Sequence, residues 1–331
     1  MAKVAINGLG RIGRATAKVV MATPELELVA VNDIADGDNI AYLIQYDTVY
    51  GKYEQDVSFS DGTLTIGDHA ISYLSERDPA QLPWGDQEID IVFECTGLFT
   101  DSDGAAKHVE AGAKFVIVSG PTKSPDMPTV VHGVNGSDGS VQAISCASCT
   151  TNNVGPVIEV MDRHFGVEKA IMTTIHAYTS TQAIVDSPAK KDYRRGRAAA
   201  ANFVPTSTGA AVAATKAYPE MEGKFDGVAV RAPIPVGSIS DIVVVISKDA
   251  TADEINAVFK AEADSDRYNG VLGYTEEPLV SSDIVKSPLA SLVDGGMTKV
   301  VDGNLVKIMS WYDNEWGYTN QMIREALDLV D

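Results

Sequence analysis

Only three cysteines occur in 331 residues. So small and odd a number argues against a disulfide framework and fits a reducing cytoplasm. No stretch approaches the ~20 uninterrupted apolar residues of a membrane helix. Met1-Ala2-Lys3 leads into a strand-like run rather than an apolar leader. A cytoplasmic protein with no membrane partner is expected. Basic residues are scarce too: 26 Lys and Arg stand against 46 Asp and Glu, for a net charge of −20. Such a surface repels nucleic acid, so none is expected as a partner. There is no internal repeat or low-complexity tract.

The acids have no single tail; Asp33, Asp36, Asp38, Asp61, Asp101 and Asp103 are scattered along the chain. This suits a property of the whole surface. Two readings stand: an ordinary acidic protein, or a halophilic one whose dense carboxylates stay solvated while salt screens their repulsion.

What is present is more telling. Ala147-Ser148-Cys149-Thr150-Thr151-Asn152 places a cysteine in a run of small polar residues. Directly after it, Val154, Val157, Ile158, Met161 and Phe165 recur with helical spacing. A thiol at a helix N-terminus faces unpaired N–H groups and the positive end of the helix dipole, and both favour thiolate. Cys149 is therefore a candidate nucleophile.

Along the first ~150 residues, β and α patterns alternate. Residues 3–7, 26–32, 89–94 and 114–118 read as buried strands, with helices after Gly13 and from about 100 to 111. Beyond Cys149 the order changes. Strands are expected at 170–179, 227–231, 239–247 and 305–312, and helices at 209–217, 252–263 and 315–330. A polar, arginine-bearing loop is expected at 180–201. The fold class is α/β plus α+β: an N-terminal Rossmann-type parallel sheet, then a catalytic domain with a mixed or antiparallel sheet. The expected domains are 1–148, completed by a C-terminal helix at 315–331, and 149–314.

Gly8-Leu9-Gly10-Arg11-Ile12-Gly13 follows the first strand within one residue and opens a helix. That context makes it a dinucleotide fingerprint, in which glycine backbone approaches a pyrophosphate at the helix N-terminus. Asp33 ends the second strand, placed to accept from ribose hydroxyls. A carboxylate there repels a 2′-phosphate, so NAD is favoured over NADP.

Cys149 needs an acid/base partner. Of five histidines, His176 lies in Thr173-Thr174-Ile175-His176-Ala177-Tyr178-Thr179 at a strand end, where catalytic groups sit. His164 reads as a helix-end residue, and His69, His108 and His132 as surface residues. Cys146 and Cys149 form a C-x-x-C, which leaves half a zinc site or a redox pair open. Only Cys95 remains, so a Cys₄ site is impossible and no metal is expected. Anion-binding groups gather in the second half: Thr179, Thr181, Arg194, Arg195, Arg197, Thr206-Ser207-Thr208-Gly209 and Arg231. With a thiolate and a dinucleotide site they suggest two phosphate positions.

These motifs resemble phosphorylating glyceraldehyde-3-phosphate dehydrogenase over essentially the whole chain. The match rests on Asn7 to Arg14, Cys95-Thr96-Gly97, Ser148 to Asn152, His176 to Thr179, Arg194-Arg195, Arg197 to Ala200, Pro205 to Ala210, Arg231-Ala232-Pro233 and Trp311 to Glu315. The resemblance implies oxidation of D-glyceraldehyde 3-phosphate to 1,3-bisphosphoglycerate with NAD, in glycolysis or gluconeogenesis. Cys149 would carry a thiohemiacetal and then a thioester, with His176 as base. Thr179, Thr181 and Arg231 would hold the substrate phosphate. Ser148, Thr150, Arg195, Thr208 and Gly209 would serve inorganic phosphate. Gly8, Gly10, Arg11, Ile12, Gly13, Asp33, Thr96, Ser119 and Asn314 would bind the cofactor. A homotetramer is implied, with the 180–201 loop between subunits. Erythrose 4-phosphate is the alternative substrate. Three departures from the family stand out. Asn153 replaces a second cysteine. Ser187-Pro188 replaces the Leu-Pro of NAD-specific members, which keeps NADP as the second cofactor. The 189–192 segment is shifted or one residue longer.

Overall fold

The computed structural model describes residues 1–190 and 192–330. Lys191, within the shifted segment, and Asp331, at the end of the expected C-terminal helix, lie outside the described residues. Two compact units result. The first comprises Met1–Val130, Gly136–Ala147 and the chain from Met322 on; the second comprises Val131–Asn135 and Ser148–Gln321.

The first unit is built on an eight-stranded sheet. Five neighbouring pairs are parallel, running from Ala143–Ser145 through Phe115–Val118, Ile91–Glu94, Ala2–Asn7 and Leu26–Asn32 to His69–Leu74. An antiparallel pair, Thr63–Ile66 and Val57–Ser60, closes one edge. The inner strands are unbroken apolar runs because helices cover both faces of a parallel sheet. Val4, Ala5, Ile6, Ile91, Val92 and Phe93 have no exposed surface. The antiparallel edge was not foreseen, since its strands are four residues long and alternate with polar residues.

The second unit has a mixed sheet ordered Val204–Ser207, Phe225–Ala232, Val167–Ala177, Ser238–Ile246, Leu305–Tyr312, Ser291–Asp294 and Leu272–Thr275. Its central strand pairs parallel with Phe225–Ala232 and antiparallel with Ser238–Ile246. Helix Cys149–Phe165 lies on one face, with its predicted stripe (Val154, Val157, Ile158, Met161, Phe165) buried among Met172, Phe225, Ile242, Val244 and Ile246. Each such side chain contributes roughly 1.5–3 kcal/mol on burial. That packing anchors the helix and so holds its first residue, Cys149. Gly166, at φ +69°, ends the helix in a conformation that favours glycine. The 180–201 segment is a loop except for short 3₁₀ turns at Tyr193–Gly196 and Ala199–Ala201. Helix Trp316–Asp328 comes late in the chain. Among the described residues no helix is long and apolar enough to cross a membrane.

Candidate active site

In the first unit a groove opens where the parallel strands end. Asn7, Gly8, Gly10, Asn32, Asp33, Glu76, Arg77, Cys95 and Thr96 line it. Gly8 takes φ +93°, and a Cβ there would lie 2.7 Å from the Thr96 nitrogen; a Cβ on Gly13 would lie 1.9 Å from the Gly8 carbonyl oxygen. Helix Arg11–Met21 starts at Gly10 with no side-chain cap. A pyrophosphate seated at this helix start would meet the positive end of the helix dipole. These features fit a dinucleotide.

Asp33 is at the groove, and its carboxylate accepts the Leu9 N–H at 2.6 Å and the Ala35 N–H at 2.9 Å. Arg11 forms an ion pair with Asp47, and Ile12 follows it, half-buried, in the first helical turn. Ser119 is not among the lining residues; its hydroxyl supports the Cys95 thiol from behind. Burial pushes that thiol up to about 12. Arg77 was missed as a lining residue, because it joins Asp33 only through the fold.

In the second unit, Ser148 caps the helix that Cys149 opens, its hydroxyl accepting the Thr151 N–H at 3.1 Å. The Cys149 sulfur lies 3.3 Å from His176 Nε2. On the other edge of the ring, Nδ1 is 2.6 Å from the Ala177 carbonyl oxygen and 2.6 Å from Arg231 Nη1. Burial, reinforced by the Arg231 charge, pulls the imidazole down to about 3. Burial also pushes the Cys149 thiol up, against the Arg231 charge and the Thr150 hydroxyl, which pull it down. This differs from the expectation of a helix terminus alone, because desolvation outweighs the Arg231 charge and the hydrogen bonds from Thr150 and the Cys149 N–H. Each charge is disfavoured singly. Formed together 3.3 Å apart, thiolate and imidazolium offset one another.

Tyr312 was also missed. Its hydroxyl bonds to Thr150 Oγ1 at 2.9 Å and Thr174 Oγ1 at 2.7 Å, and its ring packs edge-on to His176. It ties the first turn of the cysteine helix to the histidine strand. Asn314 is buried, with its side-chain oxygen accepting from the Gly237 N–H and the Ser238 hydroxyl. Its amide hydrogens are what it can offer a ligand. Thr179 and Thr181 share a hydroxyl hydrogen bond at 2.9 Å. Arg195 donates to Thr206 at 3.0 Å, while Thr208 Oγ1 accepts the Ala210 N–H at 3.2 Å beside Gly209, the N-cap of helix Ala210–Ala217.

One histidine expectation needs correction. His108 is fully buried rather than superficial, because Trp84 and Glu94 satisfy both ring nitrogens. His164 does end its helix, but it pairs with Glu262 at 2.8 Å.

Comparison with known proteins agrees with this chemistry. A profile of the glyceraldehyde 3-phosphate dehydrogenase C-terminal domain matches residues 148–314, and one of its NAD binding domain matches residues 2–102. The chain is 47% identical over 325 residues to a glyceraldehyde-3-phosphate dehydrogenase of Streptomyces coelicolor, covering 97% of this chain and 96% of that one. Identity is 49% over 330 residues, with the same coverage, to those of Mycolicibacterium smegmatis and Mycobacterium tuberculosis. A thiol facing an imidazole at the head of a buried helix, in a sequence so similar to these enzymes from end to end, belongs to the glyceraldehyde-3-phosphate dehydrogenase family.

Proposed function

We propose that this NAD-dependent oxidoreductase converts D-glyceraldehyde 3-phosphate and inorganic phosphate to 1,3-bisphosphoglycerate. The observation that carries this is the Cys149–His176 contact with Arg231 on the far edge of the ring. Cys149 attacks the aldehyde carbon as thiolate, and the His176 imidazolium protonates the oxyanion so formed, giving a thiohemiacetal. His176 Nε2 takes the hydroxyl proton, and bound NAD supplies the hydride acceptor. The thioester that remains on Cys149 is cleaved by phosphate, releasing acyl phosphate and regenerating the thiolate.

Arg231, Thr179 and Thr181 hold the substrate phosphate. Ser148, Thr150, Arg195, Thr208 and Gly209 receive the attacking phosphate. Gly8, Gly10, Arg11, Ile12, Gly13, Asp33 and Thr96 bind the dinucleotide, with Ser119 behind the groove and Asn314 orienting the nicotinamide amide. Residues 1–148 with the C-terminal helix act as the NAD-binding domain and 149–314 as the catalytic domain.

Ile184, Val185, Tyr193 and Phe203 stand exposed in and beside the 180–201 loop, as do Ile171 and Val228 on the sheet. So much exposed apolar surface supports a homotetramer, which sedimentation would test. The −20 charge supports a halophilic enzyme, since unscreened it would repel anionic substrates, and the three cysteines fit a reducing cytoplasm. Activity and melting temperature should both rise with KCl; a maximum in dilute buffer would refute this.

The deciding experiment is a steady-state assay with NAD and either glyceraldehyde 3-phosphate or erythrose 4-phosphate, with and without phosphate. The glycolytic aldehyde should give the higher kcat/KM, and omitting phosphate should stop turnover. A preference for the four-carbon sugar would overturn the substrate.

A further inference from the structure

The Glu94 carboxylate is sealed in the first unit, 1% exposed, and it pairs with His108. A buried carboxylate is expensive unless every lone pair is used. Four donors meet this one. His108 Nε2 at 3.0 Å and Asn7 Nδ2 at 2.6 Å reach Oε2; the Thr96 N–H at 2.8 Å and the Thr96 hydroxyl reach Oε1.

The direction of the network follows from the donor types. The Trp84 indole N–H can only donate, and it lies 3.0 Å from His108 Nδ1. Nδ1 therefore accepts, and Nε2 carries the hydrogen given to Glu94. On the other side Asn7 Oδ1 accepts from Asn32 Nδ2 at 2.7 Å, and Asn32 Oδ1 accepts the Glu76 N–H at 2.8 Å. Thr96 Oγ1 also accepts the Leu98 N–H at 3.0 Å. Asn7, Asn32, Glu76, Thr96 and Leu98 all line the groove. One buried carboxylate thus holds the floor of the groove through Asn7 and its rim through Thr96. A fully satisfied network of this kind is rigid.

We propose that Glu94, aimed by His108 and Trp84, is a positioning residue for the dinucleotide, acting through Thr96 and Asn7. This rests on reading the groove as the NAD site. The test is calorimetric titration of the full-length protein with NAD. Glu94→Gln should raise Kd at least tenfold and Thr96→Val about fivefold, while Thr96→Ser, which restores the hydroxyl, should return Kd to within twofold of wild type. Because Thr96 is one of the two groups through which Glu94 acts, its contribution is already lost in Glu94→Gln, and the double variant Glu94→Gln/Thr96→Val should bind no more than twofold more weakly than Glu94→Gln alone. In steady state KM for NAD should rise, with KM for the aldehyde unmoved. A folded Glu94→Gln variant with Kd within twofold of wild type, or effects that multiply in the double variant, would overturn the proposal. If Glu94→Gln does not fold, Thr96→Val against Thr96→Ser decides, and equal Kd values for the two would overturn it. Failure of the wild-type protein to bind NAD would instead sink the reading of the groove.

Discussion

Arg231 Nη1 stands 2.6 Å from His176 Nδ1, on the edge of the ring away from the sulfur. The same nitrogen is 2.6 Å from the Ala177 carbonyl. A donor and an acceptor thus compete for one ring atom, and they select opposite tautomers. With Nδ1–H on Ala177, Nε2 is free to take a proton from substrate. With Arg231 donating to Nδ1, Nε2 carries the hydrogen. If a substrate phosphate engages Arg231 as proposed, it would leave the ring on Ala177, in the form a base requires.

Arg231→Ala is therefore expected to act twice. Loss of charge-assisted hydrogen bonds should raise KM for glyceraldehyde 3-phosphate about 10- to 100-fold. Removing a positive neighbour favours imidazolium, so the acid limb of the pH–rate profile should move to higher pH. Steady-state kinetics across pH checks both, and an unchanged KM would remove Arg231 from the phosphate site.

Tyr312→Phe deletes the hydroxyl shared by Thr150 and Thr174. Two buried hydroxyls then lose a partner, which should lower stability by about 1–3 kcal/mol in urea unfolding. Because Thr150 follows the nucleophile, kcat should fall several-fold while Kd for NAD stays put. Equal kcat in the variant would reduce Tyr312 to a packing residue.

How legible all this was depended on distance along the chain. The first strand and its glycines were readable because Ala2–Asn7 is an apolar run that meets the fingerprint within one residue. The cysteine helix was readable from its periodic stripe and its serine cap. Tyr312 was not, since its partners lie 162 and 138 residues away. His108 sits between Lys107 and Glu110 in a helix with polar residues, and nothing local announces that Trp84 and Glu94 enclose it. Local pattern carried the scaffold and the helix that Cys149 opens; the groups packed around them are joined only by tertiary packing.

Asp33 and Arg77 line the same groove, and the proposed role of Asp33 in cofactor choice can be tested there. Asp33→Ser removes the carboxylate that would repel a 2′-phosphate and leaves a guanidinium to receive it. The NADP-to-NAD ratio of kcat/KM should rise by about tenfold or more, and a ratio unmoved would show that discrimination lies elsewhere.

Asp47 carries a pH signature. Burial pushes its carboxyl up, but the Tyr50 and Val49 N–H groups and Arg11 outweigh that and hold it below its usual 3.8. A group depressed in the folded state stabilises above its unfolded value and loses that contribution as pH falls through the folded one. Asp47→Asn should be less stable than wild type at pH 6, and the gap should close as pH drops below about 3.8. Thermal melts of both proteins from pH 6 to pH 2.5 would show a constant gap if Asp47 were unpaired.

The most direct test of the catalytic pair is the pH dependence of Cys149 alkylation by iodoacetamide, in wild type and in His176→Asn. If the imidazole at 3.3 Å stabilises the thiolate, its loss should move the alkylation curve to higher pH and slow the reaction at pH 7 about tenfold or more. Superimposable curves would mean that the two residues are neighbours and nothing more.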